Sequence, residues 1–218
     1  MSTAAGALAR LTDPAAKVSA HYLIDEDGMV YRLVDEARRA WHAGVSEWAG
    51  ERDINGISIG IEMVNPGHVY PGYAGGYRQF PGPQMAALIA LARDILARHA
   101  IPPQRVLGHS DVAPARKTDP GELFDWERLA MAGIGLMPRR RLTRHKTLAP
   151  GDSGRLVRGF QKRLRRFGYG IAISGMYDQA TEGVVKAFQR HYRRSQVDGV
   201  ADSDTRAALD DLLDQAGL

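Results

Sequence analysis

Short apolar or alternating runs, bounded by turn-forming residues, occupy the first two thirds of this 218-residue chain. Such runs are typical of β-strands. They predict a hairpin of two strands at 19–25 and 29–34, with a tight turn at Glu26-Asp27-Gly28. A nearly continuous apolar and β-branched run at 57–64 predicts a strand buried on both faces. A further short strand is predicted at 105–107.

Apolar residues spaced three and four apart predict helices among these strands. The most regular helix covers 84–99, and Pro83 fits its first turn. Shorter helices are predicted at 2–11 and 123–132. Strands mixed with helices in this way indicate an α/β domain, which we assign to residues 1–137.

The last third of the chain predicts a separate, small, all-α module. A basic linker without a hydrophobic period covers 138–150. The pattern Gly-x-x-Asp-x-x-Thr then occurs twice, beginning at Gly175 and at Gly199, and each Asp is placed to cap the helix that follows. Together with an amphipathic stretch at 156–167, these segments predict three short helices around one core in residues 151–218. We interpret this part as a binding module.

Charge is distributed unevenly between the two parts. Residues 1–137 hold 13 Lys and Arg against 16 Asp and Glu, whereas residues 138–218 hold 16 against 9. A basic domain of this kind is suited to an anionic polymer, although a basic linker and a solvated helix face give the same count. Nucleic-acid binding rests on charge alone, without aromatic residues interleaved among the basic ones, and we rank it last.

The composition argues against a membrane-spanning protein and against sites built on cysteine. No apolar run approaches the about 20 residues that a membrane span requires, and residues 1–6 lack the basic start and apolar core of a secretory signal. The chain contains no cysteine, so disulfides and thiolate zinc sites are excluded, and any metal must be held by His, Asp or Glu. The compartment stays open, since a disulfide-free protein folds in either redox environment.

A polar loop at 108–121 carries the main candidate chemistry, and its many turn formers argue against a helix. His109 and Asp119 are two of the ligand types that zinc accepts. Lys117 would place a cation beside whatever group that metal polarises. The alternative is a polar surface loop in which Asp111 and Asp119 only cap turns.

Two further candidates lie upstream of this loop. Glu62 interrupts the apolar run at 57–64, where a carboxylate costs several kcal/mol unless it is paired or bound to a metal. We favour a functional role for Glu62 over a structural carboxylate bonded to backbone amides. Trp41 and Trp48 flank His42 in a glycine-containing loop, and they either line a sugar or peptide groove or plug the core.

Four segments in order and in register resemble zinc-dependent N-acetylmuramoyl-L-alanine amidases, the group related to peptidoglycan recognition proteins. The four segments are 19–25, 40–44, 58–62 and 108–121. The resemblance covers about residues 10–132 and removes the turn-only interpretation of the loop. Residues 148–214, with Phe160-Gln161, Phe188-Gln189 and the doubled Gly-x-x-Asp-x-x-Thr, resemble a peptidoglycan-binding module of the three-helix type.

The resemblance implies a fold and a set of roles. The fold is a mixed β-sheet flanked by helices, as in peptidoglycan recognition proteins, followed by a small three-helix domain. His109 and Asp119 would be zinc ligands, Glu62 the general base that deprotonates the attacking water, and Lys117 the cation that stabilises the oxyanion. The bond cleaved would join the lactyl group of N-acetylmuramic acid to L-alanine.

The resemblance also suggests where substrate binds. Trp41 and His42 match positions near the substrate groove of the family. Asn65, which ends the strand that carries Glu62, is a third substrate-binding candidate. The substrate would be peptidoglycan or a soluble muropeptide.

The chain departs from the family pattern at two points. Ala115 stands where the family usually has glycine. The family's third zinc ligand is a histidine that ends a first strand upstream of the segment matching residues 1–3, and three protein ligands are the norm for catalytic zinc. We do not expect His21 or His68 to replace it. We therefore expect the true start of the gene to lie further upstream, or this chain to be a truncated form that binds zinc weakly.

Two hypotheses follow. The leading one is a zinc amidase of cell-wall turnover or recycling, and the alternative is a non-catalytic peptidoglycan-binding protein that lacks the third ligand. The sequence leaves open the oligomeric state and the choice between intact peptidoglycan and anhydro-muropeptides. The compartment is not determined by the sequence. The periplasm of the cell envelope is favoured, and the cytoplasm stays an alternative.

Overall fold

The computed structural model describes residues 3–69, 74–139 and 144–218. The chain packs as two compact units that are interleaved along the sequence. The first, here called the sheet unit, consists of Met1–Ser46, Asp53–Ala100 and Leu123–Asp125. The second, the helical unit, consists of Glu47–Arg52, Ile101–Glu122 and Trp126–Leu218. These units are defined by contacts and are discontinuous in sequence, whereas the predicted domains are continuous stretches of the chain. The predicted domain limits at 137 and 151 are therefore not tested by the units and stay a prediction.

The sheet unit is built on three short strands in the order β2-β1-β3. These are β1 (Tyr22–Ile24), β2 (Val30–Arg32) and β3 (Ile61–Met63). β1 pairs antiparallel with β2 and parallel with β3. The predicted hairpin and the mixed sheet are both confirmed. Gly28 supplies the turn between β1 and β2, where its φ of +94° suits a residue without a Cβ.

Three α-helices accompany this sheet, namely α1 (Ala4–Thr12), α2 (Ile54–Ile57) and α3 (Gly82–Arg98). A 3₁₀ turn at Pro14–Ala16 follows α1. The buried face of α1 packs on the sheet through a core cluster that consists of Ala7, Leu11, Ala20, Leu23 and Val64. This apolar face is what makes so short a helix stable, since most helical stability in proteins comes from packing.

Helix α3 holds the ends of two strands together. The amide of Gln84 is fully buried and donates to the carbonyl oxygens of Ile24 at 3.0 Å and Val64 at 2.9 Å. These residues end β1 and follow β3. The Ile24 carbonyl also accepts from the Val64 N–H at 2.9 Å, so one glutamine adds to the backbone bond that joins the ends of these two strands.

The long buried strand predicted at 57–64 is wrong in both length and burial. Only Ile61–Met63 forms a strand, while Ile54–Ile57 is a single helical turn. Ile57 is 55% exposed, and all three residues of β3 are half-buried. A short continuous apolar run does not distinguish a strand from a helical segment, because periodicity is unreadable in it.

The helical unit contains five helices among its described residues. They are α4 (His109–Val112), α5 (Trp126–Met131), α6 (Arg155–Phe167), α7 (Gln179–Tyr192) and α8 (Ser203–Gln215). The three predicted helices of the C-terminal module are confirmed as α6, α7 and α8. Their predicted caps are confirmed as well, because Asp178 accepts from the Thr181 backbone N–H and Asp202 from that of Thr205.

Each copy of the Gly-x-x-Asp-x-x-Thr pattern is held by a buried glutamine of the preceding helix. Gln161 accepts from the backbone N–H of Gly175 at 2.8 Å and donates to the carbonyl of the next residue at 2.9 Å. Gln189 makes the same two bonds at Gly199, at 2.8 and 3.0 Å. The repeat in the sequence is therefore a repeated hydrogen-bonded unit in the structure.

Two local predictions before the C-terminal module are wrong. In place of a strand at 105–107 the chain forms a 3₁₀ turn at Pro103–Arg105. The prolines at 102 and 103 have a fixed φ and no N–H, which favours a turn over a strand. The loop at 108–121 begins with helix α4, because the Asp111 carboxylate accepts from the Gly108 N–H at 2.8 Å and closes one helical turn.

No helix in the three described segments of the chain is long and apolar enough to cross a membrane.

Gly168, the residue that follows α6, lies against the buried ring of Trp48, and a Cβ at Gly168 would come within 2.4 Å of it. Its φ of +146° is also unfavourable for other residues. We expect Gly168→Ala to lower the free energy of unfolding by about 1–3 kcal/mol, since an overfilled core cannot relax freely. Gly159→Ala, in the middle of α6 with open space around its Cβ, should raise it by about 1 kcal/mol. Urea unfolding measures the free energy of unfolding of both variants. If the two substitutions changed it in the same direction, the close packing of Gly168 against Trp48 would be contradicted.

Candidate active site

The loop at 108–121 is folded back on itself within the helical unit. The backbone N–H of Ser110 donates to the carbonyl of Asp119 at 2.9 Å, and that of Lys117 donates to the carbonyl of Ala113 at 3.0 Å. These two bonds join the helical turn α4 to the far end of the loop. As a result, two side chains ten residues apart, those of His109 and Asp119, meet.

His109 Nδ1 and Asp119 Oδ2 are 3.0 Å apart. The imidazole is largely buried, whereas the carboxylate side chain is 58% exposed. Desolvation raises the pKa of Asp119, but the hydrogen bond with His109 and the charges of His109 and Lys117 outweigh it and lower the pKa below its ordinary value. Lys117 thus acts on the Asp119 carboxylate through its charge. The structure brings together two of the predicted site residues, His109 and Asp119.

The chemistry and spacing of this pair fit two positions of a zinc site. Zinc bonds of about 2.1 Å to nitrogen and oxygen, in tetrahedral arrangement, place the two ligand atoms roughly 3.4 Å apart. The observed separation of 3.0 Å lies close to that value. Within residues 3–69, 74–139 and 144–218, no group of three or more His, Asp and Glu side chains is arranged to hold a metal ion.

The two histidines considered as substitutes for a third ligand are engaged elsewhere. His21 is fully buried, its Nδ1 accepts from the Gly60 N–H at 2.9 Å, and its Nε2 lies 3.0 Å from the Arg38 carbonyl. A ring nitrogen that accepts from a backbone N–H carries no proton, so Nε2–H is the donor to that carbonyl. The His68 ring packs against that of Tyr77, with centroids 4.0 Å apart.

Glu62 lies at the centre of β3, in the sheet unit, where it pairs with Leu23 of β1. The expectation that Glu62 is buried on a strand covered on both faces is wrong, because its side chain is half-buried. Water can therefore solvate part of the carboxylate, and the cost of burying a charge no longer argues for a function. The role of Glu62 as general base rests on the family resemblance and stays a prediction.

Trp41 and His42, the two groove candidates of the sheet unit, are fixed through their backbone. The Trp41 N–H donates to Ser19 Oγ at 2.9 Å, and the His42 N–H donates to Asn55 Oδ1 at 3.0 Å. The His42 ring lies on Gly60, where an added Cβ would stand 2.3 Å from it. Trp41 is 50% exposed, which suits a groove residue, and its role stays a prediction.

Trp48, the other tryptophan of that loop, is a core residue of the helical unit. It is 2% exposed, and its indole ring packs edge-on against Phe167 and Tyr169. Of the two interpretations offered for the tryptophans, the core plug therefore applies to Trp48.

Asn65 follows β3 and is 6% exposed. Its Nδ2 donates to the carbonyl of Arg78 at 2.9 Å, and its Oδ1 accepts from the Gly67 N–H at 3.0 Å. The amide thus holds the chain that follows the strand, which is a structural use of this side chain. Substrate binding by Asn65 stays a prediction.

Sequence reasoning missed the polar cluster around Asp111. This residue of α4 is fully buried, and its carboxylate accepts from Tyr169 and His191. These partners lie 58 and 80 residues away along the chain, so no local pattern indicates them. The sequence offers one signal for this cluster. Asp111 is next to the apolar Val112, and a carboxylate that is buried with such a neighbour needs hydrogen-bond donors from another part of the chain.

A mixed sheet followed by a three-helix module, with a His–Asp pair in the loop at 108–121, fits the architecture expected of a peptidoglycan amidase. Residues 1–122 match the family model described as N-acetylmuramoyl-L-alanine amidase, and residues 153–209 match one described as a putative peptidoglycan binding domain. The chain belongs to the N-acetylmuramoyl-L-alanine amidase family. Enzymes of this family are generally zinc-dependent.

Similar proteins support this assignment over nearly the whole chain. The N-acetylmuramoyl-L-alanine amidase AmiD of Escherichia coli (strain K12) is 38% identical over 222 residues, which cover 96% of this chain and 78% of AmiD. The 1,6-anhydro-N-acetylmuramyl-L-alanine amidase AmpD of Salmonella typhimurium (strain SL1344) is 36% identical over 127 residues, 58% of this chain and 63% of AmpD.

Two solved structures share the whole fold. The complex of E. coli AmiD with anhydro-N-acetylmuramic acid-L-Ala-D-gamma-Glu-L-Lys has a TM-score of 0.83 at 36% identity and covers 98% of this chain and 85% of that one. The AMPDH3 structure from Pseudomonas aeruginosa has a TM-score of 0.81 at 30% identity and covers 100% and 89%. The predicted family, fold class and enzyme class are confirmed.

Proposed function

We propose that this protein uses zinc to hydrolyse the amide bond between N-acetylmuramic acid and L-alanine in peptidoglycan and muropeptides. His109 and Asp119 hold the metal, and in the part of the chain that the structure describes no third His, Asp or Glu is grouped with them. The observation that carries the proposal is the 3.0 Å contact between His109 Nδ1 and Asp119 Oδ2, in a chain whose residues 1–122 match the amidase family.

The reaction adds water across the amide. A bound zinc ion supplies Lewis acidity, which polarises the carbonyl and lowers the pKa of water towards about 7. Glu62 takes a proton from the attacking water and passes it to the leaving amine. Lys117 presents a fixed positive charge to the oxyanion, which exists only near the transition state. The C–N bond breaks, leaving a carboxylic acid on the lactyl group and a free amine on L-alanine.

Substrate contacts come from both parts of the chain. The exposed ring of Trp41 offers a flat apolar face to a sugar or a peptide, with His42 next to it in sequence. The C-terminal module binds peptidoglycan. The linker and the module together, residues 138–218, hold 16 basic residues against 9 acidic ones, and this excess complements the carboxylates of stem peptides. Peptidoglycan as substrate places the protein in the cell envelope, and we propose the periplasm.

The test uses the full chain loaded with zinc and two substrates, purified cell wall and a soluble anhydro-muropeptide. Mass spectrometry follows the release of peptides that begin with L-alanine, and elemental analysis gives the zinc content. We expect release from both substrates that stops with a chelator and returns with added zinc. A zinc-loaded protein that sediments with cell wall and releases no such peptide would overturn the proposal.

A further inference from the structure

Within the helical unit, a buried polar cluster connects helix α4 to the three-helix module. It consists of Asp111, Tyr169 and His191, and we call it the Asp111 cluster. The Tyr169 hydroxyl donates to Asp111 Oδ1 at 2.7 Å, and His191 Nδ1 lies 2.8 Å from Asp111 Oδ2. The Gly108 N–H adds a third donor to Oδ2 at 2.8 Å.

All three side chains of the Asp111 cluster are excluded from water. Asp111 is 0% exposed, Tyr169 1% and His191 2%. A carboxylate in such a place costs several kcal/mol unless donors surround it, and here two of its three donors come from outside the loop. Loss of either donor leaves part of a buried charge unsatisfied.

The partners of Asp111 are themselves held rigidly by aromatic packing. The His191 ring stacks on Trp126, with centroids 3.7 Å apart and planes 20° apart. The Tyr169 ring packs edge-on against Trp48 at 4.9 Å. Burial and the Asp111 carboxylate raise the pKa of Tyr169 well above its ordinary value, so the phenol keeps its proton and donates it.

Helix α4 has four residues, which is too short to be stable on its own. Besides Asp111, it is held by the carbonyl of Val112, which accepts from the Glu47 N–H at 2.8 Å. His109 is the first residue of this turn. The direction in which His109 points therefore depends on the anchors of α4, and the strongest of these is the buried carboxylate two residues later.

We propose that Tyr169 and His191 of the peptidoglycan-binding module are positioning residues for the amidase reaction. They hold Asp111, and through it α4, so that His109 stays in place to meet Asp119. The inference rests on the proposed role of His109 as a zinc ligand. In this arrangement the C-terminal module is part of the scaffold of the metal site as well as a tether to the cell wall.

The test compares three conservative variants of the full chain. Tyr169→Phe removes one donor to Asp111, and His191→Phe removes the other while keeping a flat ring against Trp126. The matched control is Tyr177→Phe, which removes the hydroxyl of another buried tyrosine of the module. That hydroxyl donates to the Gly199 carbonyl at 2.7 Å and plays no part in the Asp111 cluster.

Three quantities are measured on each folded variant. Zinc affinity is obtained by competition with a chelator, hydrogen exchange of the amides of 108–113 is followed in the zinc-free protein, and hydrolysis gives kcat and KM. We expect zinc affinity and kcat to fall about tenfold in the Tyr169 and His191 variants, as for outer partners of metal ligands. Exchange in 108–113 should become about tenfold faster, with KM unchanged. Tyr177→Phe should match the unaltered protein in all of these.

Unchanged zinc affinity and exchange in the Tyr169 and His191 variants would overturn the inference, and so would equal losses in Tyr177→Phe. The exchange measurement needs no metal, which separates the two proposals. If exchange accelerates only in the Tyr169 and His191 variants while the unaltered protein fails to bind zinc, the Asp111 cluster does hold the loop, and it is the proposed zinc-dependent function that fails.

Discussion

His109→Ala should lose both bound zinc and amide hydrolysis. A catalytic metal supplies several kcal/mol of transition-state stabilisation, and each 1.4 kcal/mol is about a factor of ten in rate. We therefore expect kcat/KM to fall by about a thousandfold or more. Elemental analysis of the purified variant gives its zinc content, and release of L-alanyl peptides from a soluble muropeptide gives the rate.

The helical unit offers a matched control for this change. His145 Nε2 lies 3.0 Å from Asp210 Oδ2, the same separation as in the His109–Asp119 pair. His145→Ala removes a histidine from a His–Asp contact outside the loop at 108–121. We expect this control to keep its zinc and its rate. Equal losses in the two variants would show that the effect of His109→Ala comes from the fold instead of the metal.

Glu62→Gln should lower kcat by about 10²–10⁴-fold, the contribution typical of a general base. Glutamine keeps the size of the side chain and its place on β3, but it cannot accept a proton at neutral pH. KM and zinc content should stay as in the unaltered protein, because the loss of a general base, unlike the loss of a ligand, leaves the metal bound. Steady-state kinetics with a muropeptide and elemental analysis measure these quantities.

Glu51→Gln is the control for Glu62, since Glu51 is an exposed glutamate that carries no proposed role. It should retain full activity. Unchanged kcat in Glu62→Gln would remove Glu62 from the mechanism. Loss of zinc in that variant would instead make Glu62 a candidate ligand.

Features that depend on neighbouring residues were predictable from the sequence. The hairpin turns where Glu26-Asp27-Gly28 predicts it, and Asp178 and Asp202 cap the helices that they precede. These succeed because turn and cap chemistry acts over two to four residues. The pairing of His109 with Asp119 was accessible for a similar reason, because both lie in one loop that resembles a family motif.

Features that depend on distant residues were not predictable. The apolar run at 57–64 predicts a buried strand, yet the buried N–H of Gly60 is taken up by the ring of His21, 39 residues away. The strand therefore begins only after that contact. The carboxylate of Asp111 likewise gives no local sign of Tyr169 and His191, because long-range packing sets where its donors come from.

The interleaving of the two units bears on how such a chain can be recombined. The last third of the sequence is contiguous along the gene, yet it packs with the strip Glu47–Arg52 and with the segment Ile101–Glu122. A crossover at the basic linker would deprive Trp48 of its aromatic neighbours and Asp111 of its donors. We expect exchange of the wall-binding helices between amidases to succeed only when these two upstream segments are inherited with them.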